Sequence, residues 1–207
     1  MKTRNYLLTG LIALLLTGCF VKSLHPFFKV GDIIFKKELI GTWTDNDSSV
    51  WKIEQGSRSN GLFKPAQPDN SYILTFTEKK GTAVFRATLF QLGGKLFLDF
   101  YPEEVECSND MMASHLVPMH TLARVELHGG KLVIRWYNEE WLMELFRQNK
   151  IRIAHEKIPV DAGSTNGDFQ VVLTAPTSEL QKFILKYSDD PEAFKNDFTF
   201  VLTKTTH

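Results

Sequence analysis

From Leu39 onward, apolar and polar residues alternate with a period of two, which restricts the chain to half-buried strands. Tyr72, Leu74 and Phe76 share one face of such a run. Ala83, Phe85, Ala87 and Leu89 share a face of the next, opposite Thr82, Arg86 and Thr88. Leu132, Ile134 and Trp136 repeat the pattern, and Phe198, Phe200 and Leu202 close the chain with it. Gly93-Gly94, Gly129-Gly130 and Lys79-Lys80-Gly81 stand between runs and read as hairpin turns. Consecutive strands joined this tightly make an antiparallel meander. The expected fold class is mainly β, with about ten strand-like runs.

Not every stretch alternates cleanly. Leu116 to Leu127 places Val117, Met119, Thr121, Ala123, Val125 and Leu127 on one side, with Pro118 marking an edge or a bulge. Residues 55–70 and 161–168 are rich in Gly, Ser, Pro, Asn or Asp and read as loops. Two helices interrupt the strands. Asn138 can cap the first, whose Trp141, Leu142, Leu145 and Phe146 form an apolar side opposite Glu140, Glu144, Arg147 and Gln148. The second runs from Thr177 to Tyr187, with Leu180, Phe183, Ile184 and Tyr187 at helical spacing and Glu179 placed to pair with Lys182. Aromatic stripes at that spacing are packing surface.

The amino terminus obeys different rules. Lys2 and Arg4 precede an apolar run from Tyr6 to Leu16, and Thr17, Gly18 and Cys19 follow. A membrane-crossing helix needs roughly 20 apolar residues; this run is about half that, as in an export signal. Leu16-Thr17-Gly18-Cys19 resembles the lipobox of bacterial lipoproteins at all four positions. The resemblance implies cleavage between Gly18 and Cys19, a diacylglyceryl group on the Cys19 thiol, and acylation of the new amino terminus. One acyl chain holds a protein to a bilayer only marginally, whereas two or three anchor it. Residue 20 is Phe rather than the Asp that often signals inner-membrane retention in such lipoproteins, which favours the outer membrane in a cell that has one. The organisation expected is therefore a signal over 1–18, a lipid-anchored tether over 19–37, and a single β-rich domain over 38–207.

Charge narrows the partners. Loss of Lys2 and Arg4 leaves 24 acidic residues slightly in excess of the basic ones, so no basic stripe points to nucleic acid. Cys107 is then the lone thiol, and Glu103, Glu104 and Glu106 around it disfavour a reactive thiolate.

Phe35-Lys36-Lys37-Glu38-Leu39-Ile40-Gly41-Thr42-Trp43 resembles the first signature of lipocalins and their calycin relatives at Gly41 and Trp43. The resemblance implies a closed barrel whose first strand carries Trp43 as a plug, with a basic side chain near the last strand, here Lys204, packed over it. A β-sandwich or a curved open sheet with packed helices is the alternative. A second lipocalin signature is missing, and the helix near 138–149 is an addition. Stretches such as Leu92 to Pro102 and Val172 to Ile184 resemble bacterial envelope proteins.

Catalytic patterns are absent from the sequence: it has no phosphate-cradling glycine loop, HExxH, Gly-x-Ser-x-Gly or CxxC. His115 and His120, five apart, point to opposite faces of an ideal strand unless Pro118 bulges; His120 shares a face with Arg124 and Glu126 that reads as solvated. Asp99, Glu103 and Glu104 read as solvated acids flanking a loop, and no catalytic residue, metal site or cofactor is assigned. The leading expectation is a lipid-anchored barrel binding a small apolar or amphipathic ligand in its interior or mouth. The rivals are an envelope interaction protein using loops 56–70 and 102–114, and a hydrolase with His115 or His155 beside a nucleophile.

Overall fold

The computed structural model describes residues 20–59, 66–103, 109–159, 169–195 and 198–205. Eight strands close a barrel: β2 (Gly41–Thr44), β3 (Val50–Arg58), β4 (Gln67–Glu78), β5 (Gly81–Leu92), β6 (Lys95–Pro102), β7 (His120–His128), β8 (Lys131–Trp136) and β11 (Thr199–Lys204). Each pairs antiparallel with its neighbour, and β11 returns to β2 through Lys204 opposite Trp43. This is a lipocalin-like closed barrel, and closure removes its sheet edges. Gly93-Gly94 and Gly129-Gly130 turn with both φ angles positive, as two-residue hairpins need.

Inward residues from all eight strands form one continuous core. Trp51, Phe76, Phe100, Trp136 and Phe200, from five different strands, meet in the lumen, with Trp51 4.6 Å from Phe76, 5.0 Å from Phe200 and 6.2 Å from Trp136. Toward the other end Trp43, Ile53, Leu74, Leu89 and Leu132 have almost no surface that water can touch. Side chains fill the stretch they line.

The barrel has two distinct ends. Turns 45–49 and 79–80 and the connection from Pro102 to His120 lie at one end, called the mouth. The Gly93-Gly94 and Gly129-Gly130 turns lie at the other, the base. There Leu39 enters beneath Trp43, whose indole Nε1 donates to the Leu39 carbonyl at 2.9 Å. Gly41 adopts φ +138°, and a Cβ there would stand 2.6 Å from Lys204 Cε. Glycine therefore satisfies both the backbone conformation and the close approach of the lysine.

Between β8 and β11 the chain leaves the barrel to build a second layer: α2 (Glu139–Arg147), β9 (His155–Pro159), β10 (Phe169–Leu173) and α3 (Thr177–Tyr187). Asn138 caps α2 by accepting from the Glu140 and Trp141 amides. This layer packs on the outward residues Phe90, Phe97 and Leu122 of β5, β6 and β7. Residues 87–90 and 97–100 are consequently buried on both faces, which is why apolar residues stand side by side in Leu89-Phe90 and Phe97-Leu98 instead of alternating with polar ones. No helix among the described residues is long and apolar enough to cross a membrane.

Several expectations need correction. Residues 20–37 are not a loose tether: β1 (Lys22–Ser23) pairs with β7 and β10, Val21 and Phe27 are buried in the second core, and the Ile34 amide donates to Leu89. The strand expected from Leu116 begins at His120, because Leu116 and Val117 face solvent and have no partner strand. The loop expected over 55–70 is shorter, since β3 continues to Arg58 across a bulge at Gly56 and β4 begins at Gln67. Glu179 and Lys182 form no ion pair with each other. The chain also adds a one-turn helix, α1 (Asp110–Ala113).

Candidate functional site

Gly18, Cys19, Glu104, Cys107 and the loop 161–168 lie outside the described residues. Of the barrel-signature residues, Lys204 Nζ stands 5.1 Å from the centroid of the Trp43 ring and donates to the Glu38 carbonyl at 2.9 Å. The cation lies over the electron-rich face of the indole, which is an attractive placement. It closes the base of the barrel.

Asp99 and His120 are not solvated. Asp99 is 1% exposed on the outer face of β6, covered by residues 20–28. Its Oδ1 lies 2.7 Å from His120 Nδ1, and its Oδ2 accepts from the Phe27 amide at 2.9 Å. Burial holds the Asp99 carboxyl above the ordinary carboxylate range, opposed by the hydrogen bond and charge of His120 and by the Phe27 amide. The ring of Tyr101 packs 4.7 Å from that of His120. The group is a clasp holding the amino-terminal segment on the barrel. On the same face Arg124 Nη1 donates to the Ser188 carbonyl after α3, so this side of β7 is roofed rather than wet.

Glu139, at the start of α2, is another buried acid outside the sequence expectations. Its Oε1 accepts from the Val171 amide at 3.2 Å and Lys22 Nζ lies 3.9 Å from Oε2. Burial raises its pKa, with Lys22 opposing. Tyr137 is buried with no hydrogen-bond partner for its hydroxyl among the described residues, and desolvation raises its pKa strongly.

The remaining candidates do not converge. His115 is exposed, with Nδ1 2.6 Å from the Met111 carbonyl and 3.2 Å from Ser114 Oγ. Ser114 donates to that same carbonyl, so both side chains serve the local turn. His155 lies against Phe146, its Nδ1 2.9 Å from the Ile153 carbonyl. Glu103 is held by the Arg86 guanidinium, which also donates to Ser71. Among the described residues no three His, Cys, Asp or Glu side chains are grouped to hold a metal.

What the structure does assemble is a groove of about 350 Å³ on the outer layer, between residues 150–153 and one flank of α3. Ile151, Ile153, Phe183 and Tyr187 supply its apolar lining, and Lys150, Arg152, Lys182 and Lys186 ring it with positive charge. Glu179 is the single acid there. None of the four cations forms an ion pair among the described residues; Lys186 Nζ lies 4.9 Å over the Tyr187 ring. The local reason is periodicity. Lys182 and Lys186 are four apart on the helix beside Phe183 and Tyr187, and in Lys150-Ile151-Arg152-Ile153 charge alternates with aliphatic side chains. Each pattern is legible in the sequence; their juxtaposition is not. An apolar floor under a cationic rim suits a molecule with a short apolar part and an anionic head.

No protein-family model, curated protein or solved structure matches the chain.

Proposed function

We propose that the protein is an exported lipoprotein, anchored by lipid on Cys19, that binds an amphipathic anion in the groove beside α3. The groove carries the binding part of this reading: four cations that form no salt bridge among the described residues converge on apolar side chains. Leu16-Thr17-Gly18-Cys19 supports the anchor, because a thiol follows small residues at the end of a short apolar run. The close packing of Trp43, Ile53, Leu74, Leu89 and Leu132 weighs against a ligand in that part of the lumen and favours a site on the outer surface.

Dodecyl phosphate is a suitable probe, matching a single apolar chain to one anionic head. Calorimetric titration of the protein and of a Lys182→Glu, Lys186→Glu variant tests the groove. Both lysines are exposed, so reversal should leave the fold intact. It should weaken binding roughly tenfold or more, with a loss that shrinks at high salt as screening sets in. Unchanged affinity in the variant would remove the groove as the site.

A further inference from the structure

We infer that the mouth of the barrel faces the membrane, with the segment Met111 to Val117 inserted at the lipid–water boundary; this rests on the Cys19 anchor proposed above. The amino-terminal segment enters the domain at the mouth. Phe20 is bridged to Asn138 and its ring lies 5.4 Å from Trp136 and 4.6 Å from Phe198, all at the mouth. Val21 is buried and Lys22 is paired to Thr121 of β7. One residue spans at most about 3.6 Å, so lipid on residue 19 leaves the protein within a residue of the mouth. No slack separates the anchor from the domain.

The connection between β6 and β7, at this same end, exposes Met111 (75%), Met112 (58%), Leu116 (46%) and Val117 (64%). Their exposure is built in rather than a product of slack chain. Asn109 caps the turn through the Met111 and Met112 amides, His115 N donates to Met112, and Leu116 N to Ala113. The segment then enters β7, where His120 pairs with Ser23, so the apolar turn and the amino terminus spring from adjoining strands. A cluster of large apolar side chains held into solvent marks an interaction surface. A surface held beside a lipid anchor meets the bilayer first. Charge at this end is acidic on balance, Lys79 and Lys80 against Asp45, Asp47, Glu78, Glu103 and Asp110, so attraction to anionic headgroups does not drive the contact and its apolar side chains must. Val30, 84% exposed on the turn that leads into Ile33 and its pairing with Phe90 near the base, provides a control.

The test places a benzophenone amino acid at position 112, 117 or 30 of the full chain, produced in a bacterium that processes lipoproteins. Membranes are isolated, floated, irradiated and searched by mass for phospholipid adducts. Positions 112 and 117 should yield roughly tenfold more lipid adduct than position 30, as interfacial insertion requires. Flotation reports on the anchor and adducts report on the orientation, so the two readings fail separately. A floating protein with no excess of adducts at 112 and 117, or with protein crosslinks there in place of lipid, overturns the orientation and keeps the anchor. A chain that does not float, and carries no lipid on Cys19, overturns both.

Discussion

Trp136→Ala is expected to destabilise the domain by about 3–5 kcal/mol, the usual range for deleting a buried aromatic side chain. Its indole touches rings from three other barrel strands and from the amino-terminal segment: Phe100 at 4.9 Å, Phe200 at 5.7 Å, Trp51 at 6.2 Å and Phe20 at 5.4 Å. Those neighbours are themselves locked by β-pairing, so the hole cannot collapse and most of the lost contact stays lost. For a domain of this length about 2–4 °C in Tm accompanies each kcal/mol, so thermal unfolding should move down by roughly 10 °C. A hollow barrel would behave differently. There the indole would line open space, and its removal would lower Tm by only a degree or two.

The second large effect is at Asp99. Alanine there leaves the Phe27 amide buried without an acceptor and His120 without its carboxyl partner, a loss of about 3 kcal/mol. The detachment of residues 20–28 from the barrel should accompany it, visible as faster amide exchange at Phe27. Asp99→Asn separates charge from hydrogen bonding, because the amide oxygen still accepts from Phe27. The native Asp99 carboxyl is raised from its ordinary value of 3.8 by burial. As pH climbs from that value to the raised one, the unfolded chain has released this proton while the folded chain still holds it. This residue's contribution to stability therefore falls as pH rises through that window. The substituted carboxamide cannot ionise and lacks the decline. Urea unfolding should show the Asp99→Asn variant gaining on the parent between acid and neutral pH. A variant that instead loses ground over that interval would mean that attraction to His120 outweighs burial.

How much of this was legible beforehand follows from what each residue reports. Period-two runs and paired glycines state which faces point inward and where hairpins turn, so the meander and both helices, with the Asn138 cap of α2, could be read from the residues, whereas closure into a barrel was implied by the lipocalin resemblance at Gly41 and Trp43. Alternation says nothing about what covers the outer face. The adjacent apolar pairs Leu89-Phe90 and Phe97-Leu98 did carry that information, since a strand exposed on one side has no use for Phe90 or Phe97. The same oversight made Asp99 look solvated and residues 20–37 look like a tether. At Leu116 and Val117 the periodicity runs past the true start of β7, because those apolar residues face outward rather than toward a partner strand. The groove joins residues 150–153 to α3 across the undescribed loop and β10, a proximity set by tertiary packing and invisible to any local window.

The chain has four tryptophans, and they divide the molecule conveniently. Trp43, Trp51 and Trp136 belong to the barrel core, whereas Trp141 packs 5.3 Å from Tyr187 and 5.9 Å from Phe183, both lining the groove, with its indole N–H donating to Asp190. The most direct measurement is therefore an indole N–H spectrum recorded through a dodecyl phosphate titration. The Trp141 resonance should move in proportion to occupancy while the three barrel indoles stay in place. Shifts led by Trp51 or Trp136, with Trp141 static, would put the ligand inside the lumen and contradict a filled barrel that binds on its outer surface.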